Sequence, residues 1–208
     1  MKIFENIPGI ILNKVRALRT SEAGSFSVEA VLMFPLLIWA YIGMYVFFEG
    51  LRENNINLKA AYTVGDLLSR ETDLVDMTYL NGMNSVFGWL TRSNQPVSMR
   101  VTVIRFDATS NKHILVWSRG VAGRIDHDQL TVDDFVTPQV PILADADTAI
   151  VVETWATFDP ILDIGLTQRE VYNMVITPPR FTEQLGFVGV GDGGGTGHND
   201  GTDSGLGL

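Results

Sequence analysis

Hydrophobic and polar residues follow different rhythms along this chain. From Ala30 to Phe48 the sequence reads AVLMFPLLIWAYIGMYVFF, 19 residues without a charge. At about 1.5 Å per residue a helix of this length spans roughly the 30 Å hydrocarbon core of a bilayer. Such a run favours a membrane span over the buried core helix of a soluble protein. It also exceeds the roughly 7–15 apolar residues of a cleavable secretory signal, and no small-x-small cleavage site follows Phe48. Pro35 removes one backbone donor and loosens the helix near Val31.

Beyond the span, Leu51, Leu58, Ala61, Val64, Leu67 and Leu68 recur at spacings of three, four and seven. One helix is therefore expected from about Ser25 to Arg70, half in lipid and half as a stem. Gly50 and Gly65 weaken it by up to about 1 kcal/mol each relative to Ala. A second helix is expected from about Leu74 to Leu90, with Leu74, Met77, Leu80, Met83, Phe87 and Leu90 on one face and Asp73 as N-cap. From Val97 the period becomes two. Val97, Met99, Val101, Val103 and, past Ile104, Phe106 alternate with polar residues, and Ile114, Val116 and Trp117 follow the turn Asp107–Asn111, which predicts a β-hairpin. A third strand is expected over 149–158 (AIVVETWATF) and a fourth over 170–176, where Pro178-Pro179 lack the donors to continue a ladder. Helices first and strands later imply an α+β fold with an antiparallel sheet. Residues 186–208 are rich in Gly and Asp and bury too little to repay their ordering entropy, so a disordered tail is expected there. The chain thus divides into 1–24, a basic leader; 25–70, membrane helix and stem; 71–185, an outer α+β domain; and 186–208, a Gly-rich flexible tail.

Charge sharpens this division. The net charge is −9, yet residues 1–24 carry +2, from Lys2, Lys14, Arg16 and Arg19 against Glu5 and Glu22, leaving −11 for the rest. An acidic body argues against nucleic-acid binding, which needs basic residues clustered on the folded part. Positive residues before the span predict a cytoplasmic N-terminus and an outer domain beyond about residue 50. The absence of cysteine excludes disulfides, thiolate metal sites and cysteine nucleophiles. His113, His127 and His198 have no metal-ligand spacing, and Asp126-His127-Asp128 with Asp133-Asp134 reads as a solvated acidic loop. No Gly-x-Ser-x-Gly and no phosphate-cradling loop is present. The expectation is a protein without catalytic residues, metal or cofactor, not an enzyme.

The junction Gly24-Ser25-Phe26-Ser27-Val28-Glu29 carries the most information. A carboxylate in a membrane helix costs about 2–3 kcal/mol at the centre and less near the interface. On the residues alone Glu29 is either an interfacial carboxylate reaching headgroup water or a functional group awaiting a partner. A basic leader, Gly24, Glu29 five residues on and an unbroken apolar stretch resemble the processing site of type IV pilin-like precursors. The string GSFSVEAVLMFPLL resembles the start of the TadE-like minor pseudopilins of the Tad (Flp) pilus assembly system, with Val28, Glu29 and Pro35 at that family's Val-Glu and following Pro. The likeness covers residues 19–48. It extends more loosely to Val151–Trp155 with Asp159-Pro160 and to Pro179-Arg180.

This resemblance implies a pilin-like fold and a single-pass protein of the bacterial inner membrane, its C-terminal domain periplasmic. It implies a prepilin peptidase that cuts after Gly24 and leaves Ser25 as the new N-terminus. It implies that Glu29 pairs with the fresh amine of a neighbouring subunit's Ser25, so that helices out of register would bury an unpaired charge. The implied partners are the prepilin peptidase, other pilins or pseudopilins, pilus assembly proteins and the lipid bilayer. More than 100 residues beyond the stem argue against the much shorter major pilin. The rival reading is an uncleaved, single-span membrane-anchored binding or sensor module with a periplasmic domain, for which Gly24 is dispensable. A membrane-tethered hydrolase is a third reading, and no residue nominates its catalytic position.

Overall fold

The computed structural model describes residues 22–92, 95–160 and 167–190. The leader before residue 22 and the Gly-rich stretch beyond 190 lie outside the described residues. The first element, α1, is one helix from Glu22–Ser69, 48 residues, continuous through Pro35. The chain divides into two compact units, and the division falls inside this helix, between Glu49 and Gly50.

In the first unit α1 is apolar all round. Leu32, Phe34, Trp39, Tyr41, Met44 and Phe48 all point outward, and only 6% of its most apolar 18-residue window, of mean hydropathy 2.1, is buried. The core helix of a soluble protein would hide one apolar stripe and expose a polar one. This stretch hides none. It is the one helix among the described residues long and apolar enough to span a membrane.

The second unit is α+β. Helix α2, Met77–Thr91, precedes strands β1, Val97–Asp107; β2, Lys112–Val121; β3, Thr148–Phe158; and β4, Arg169–Thr177. They form one antiparallel sheet in the order β2-β1-β3-β4. The skip at Ile104 in the alternation is a β-bulge, with the β1–β2 register shifting between Val103 and Ile104. On one face Met99, Val101 and Val103 of β1, Ile150 and Val152 of β3 and Val175 of β4 pack with Ala60, Ala61, Val64 and Leu68 of the stem and Leu80 and Phe87 of α2. Gly65 allows close approach of the stem, since a Cβ there would stand 3.3 Å from Val175 Cγ1.

The other face carries a third layer that the expected loop did not foresee. Residues 122–147 cross it as a strap containing α3, Gln129–Thr131, a π-helical turn, Val132–Val136, and a 3-10 turn, Thr137–Gln139. Val132, Val136 and Val140 pack on Ile104, Ala149 and Val151. β1 and β3 are thus buried on both faces.

Two boundaries differ from expectation. Helix α2 starts at Met77, and its N-cap is Asp76, whose carboxylate accepts from Tyr79 N at 2.7 Å; Asp73 is not the cap. Leu74-Val75 stays extended because Val75 forms a parallel bridge with Phe187, donating to Gly186 O at 3.0 Å and accepting from Val188 N at 2.9 Å. Residues 186–190, expected in the tail, therefore belong to the folded unit. Phe187 lies in the core against Trp117, whose Nε1 donates to Leu185 O at 2.7 Å.

Candidate functional site

Gly24 and Ser25 lie on α1. Glu29 stands one turn beyond Ser25, four residues on and therefore on the same side of the helix. It is exposed, and with Phe26, Ala30, Met33, Phe34 and Leu37 it lines a shallow apolar recess. Between Phe26 and Phe48 the helix thus carries one carboxylate beside an otherwise apolar track of residues spaced for a second helix to lie along.

A second constellation lies on the strap side of the sheet. Its centre is Glu153 of β3, with a side chain only 3% exposed. Arg100, its cross-strand neighbour on β1, grips it with two parallel bonds, Nε to Oε2 at 2.7 Å and Nη2 to Oε1 at 2.8 Å. Tyr172 of β4 donates its hydroxyl to Oε1 at 3.0 Å. From the strap, His127 Nε2 lies 3.0 Å from Oε2. An ionised carboxylate only accepts, so the histidine donates as the neutral Nε2–H tautomer. The expectation of a solvated loop at 126–128 is corrected here: the His127 side chain is 4% exposed, and its backbone N–H donates to Ser118 Oγ at 3.0 Å.

Electrostatics follow from these contacts. Burial alone would raise the Glu153 pKa, but the Arg100 bonds and charge, with His127 and Tyr172 behind them, outweigh it and hold the carboxyl below the usual carboxylate range. Burial, and then the Arg100 charge, push His127 down and keep it neutral, against the opposing pull of Glu153. Burial and the adjacent Glu153 raise Tyr172. Around this core Trp155 is flanked by two guanidinium groups, Arg100 at 5.2 Å and Arg124 at 4.1 Å from its ring centre, and Arg124 also pairs with Glu170. Every acceptor direction of Glu153 is taken by a protein donor. Ser118 Oγ meets Thr102 Oγ1 at 2.9 Å and the His127 amide rather than the imidazole, so the set is a clamp that ties the strap to three strands.

The remaining polar residues singled out from sequence serve local structure. Asp128 caps α3 in a capping box with Thr131, and Asp126 accepts from Gly120 N at 2.7 Å and pairs with Arg119. Asp107 closes the hairpin by accepting from Thr109 N and Ser110 Oγ. His113 is buried beside Phe106 with neither ring nitrogen hydrogen-bonded. Among the described residues no three His, Asp or Glu side chains converge as a metal ion would need.

No family model, curated protein or solved structure matches this chain. The functional reading therefore rests on the residues and their geometry.

Proposed function

We propose that the chain is a TadE-like minor pseudopilin of a Tad-type pilus, processed by a prepilin peptidase after Gly24 and anchored with its N-terminus cytoplasmic and its α+β domain periplasmic. The observation that carries this reading is Glu29. It is the one carboxylate between Phe26 and Phe48, in the exposed apolar stretch of α1, five residues after Gly24 and beside an apolar recess shaped by Phe26, Met33 and Leu37. Cleavage would leave Ser25 as a terminal amine one turn from it. A neighbouring subunit's amine then neutralises the Glu29 carboxylate in lipid, and this pairing fixes the axial register of adjacent helices. A continuous helix running into a stem beneath an antiparallel sheet supports a pilin-like architecture. The protein acts by assembling, initiating or capping a fibre with other pilins, as the substrate of an enzyme rather than as one.

A second reading, the uncleaved membrane-anchored binding or sensor module, draws support from α1 passing through Gly24 and Ser25. A protease takes its substrate extended, so that turn must unwind before cleavage. The N-terminal residue of the mature protein in native cells separates the two. A chain beginning at Ser25, and no longer doing so after Gly24→Leu, is expected; a chain that keeps Met1 overturns the pseudopilin reading.

A further inference from the structure

The outer edge of β2 is closed by side chains. Gln129 Nε2 donates to His113 O at 2.8 Å and Gln129 Oε1 accepts from Leu115 N at 2.8 Å, so one amide group imitates the peptide of a neighbouring strand. Asp126 Oδ1 takes Gly120 N. An edge without such cover is a template for pairing with another strand.

Between Val121 and Val132 the only buried residue is His127. The apolar side chains of the same stretch face outward, Ile125 at 83% exposure and Leu130 at 73%. The imidazole is the one buried side chain of the loop, seated over Glu153 from β3, Arg100 from β1 and Tyr172 from β4, and it acts beside the His127 N–H bond to Ser118 Oγ, the Arg100 Nη1 bond to Ile125 O and Arg124 over Trp155. The other charges nearby are committed: Asp126 to Arg119 of β2, Asp128 to the start of α3, and Arg124 to Glu170 of β4.

We propose that residues 122–129 form an acid-released latch, in which protonation of His127 frees the loop from Glu153 and uncovers the outer edge of β2. The charge balance of the clamp gives the reason. Arg100 already neutralises Glu153 through two bonds, so a proton on His127 leaves a buried net positive charge and a second ring N–H to be solvated. Burial depresses the histidine's affinity for a proton, so the opened loop binds that proton more readily than the closed one. The closed state is therefore fully favoured above the free-histidine value of about 6.5 and is disfavoured by up to tenfold per pH unit below it. Glu153 stays ionised until much lower pH, so the histidine acts first. Release moves Gln129 and Asp126 away together, and the β2 edge becomes free for an extended strand.

Hydrogen exchange read by mass spectrometry on the full chain in detergent micelles tests this, after correction for the pH dependence of intrinsic rates. Between pH 7.5 and 5.0, protection over 113–129 is expected to fall, by up to about thirtyfold, while protection over 60–68 and 148–158 is retained. His127→Gln, whose amide can still donate to Glu153, is expected to abolish the response, and His113→Gln to keep it. Equal protection at both pH values, a fall that persists in His127→Gln, or one removed by His113→Gln overturns the proposal. If His127→Gln is already unprotected at pH 7.5, the titration of His127 in the unaltered protein by NMR decides. A pKa below about 6.5 supports the latch, and one at or above it refutes the latch.

Discussion

Replacing Glu153 by alanine isolates the energetics of the clamp. The carboxylate accepts two bonds from Arg100, one from Tyr172 and one from His127. Without it, the Arg100 side chain, 15% exposed, keeps one bond to Ile125 O at 3.0 Å and its place over Trp155. Removing one partner of a buried ion pair costs about 3–5 kcal/mol. The residual exposure of Arg100 and its bond to Ile125 O put the expected loss at the lower end, about 3 kcal/mol. Removing both charges, as Glu153→Leu with Arg100→Met, strands no ion. It leaves the His127 N–H unsatisfied and a half-exposed Tyr172 hydroxyl that water can reach, a loss of about 1–3 kcal/mol. The double variant should therefore be no less stable than either single, Glu153→Leu or Arg100→Met, each expected to lose about 3 kcal/mol, which makes the coupling energy between the two sites about 3 kcal/mol. The assay is urea unfolding of the full chain in micelles at pH 7.5, followed by tryptophan fluorescence, because Trp155 and Trp117 report on opposite faces of the sheet. With a slope of about 2 kcal/mol per molar urea, the single substitution moves the midpoint by about 1.5 M. A shift under about 0.3 M, or a double variant that loses the sum of the two single losses, would refute the clamp as described.

Two further outcomes follow from other contacts. Gly65→Leu should destabilise the domain by about 1–3 kcal/mol by urea unfolding, because its side chain must enter space where Val175 already stands 3.3 Å from a modest Cβ; unchanged stability would mean that the stem does not lie close on β4. Glu29→Ala should leave the unfolding midpoint of the domain unchanged, since the residue is exposed in the first unit, yet abolish incorporation into fibres in native cells; normal incorporation, scored by immunoblot of sheared pili, would remove the register role.

Much of the fold was legible because it is periodic. The 19 uncharged residues, the stem spacing and the alternation of β1 and β3 each report a local environment, and the elements follow within a few residues. The bulge was legible as a break in the alternation at Ile104. The start of α2 was not, because Val75 leaves the helical pattern to pair with a strand residue far along the chain. The strap was hidden for a related reason: its irregular turns have no repeating period, although Val132, Val136 and Val140 at intervals of four are the trace of its buried side. The clamp had one signal that went unused. A carboxylate at Glu153 within AIVVETWATF is as anomalous as Glu29 within the apolar helix, and the same cost of burying charge predicts a partner for it. Its partners, Arg100 and His127, come from 53 and 26 positions away in sequence, the first brought by the strand register and the second by the strap.

The bridge between Val75 and Phe187 also sets an order of events. It joins residues 112 positions apart, near the two ends of the α+β domain. A ribosome makes Val75, Leu80 and Phe87 long before it makes Leu185 and Phe187, which share their core. Non-local closures of this kind are slow and late. The nascent domain therefore keeps its core open on one side, and it can close only when synthesis has passed Phe187. A premature stop shortly before that residue would release a chain with every described helix and strand encoded and its core still unsealed.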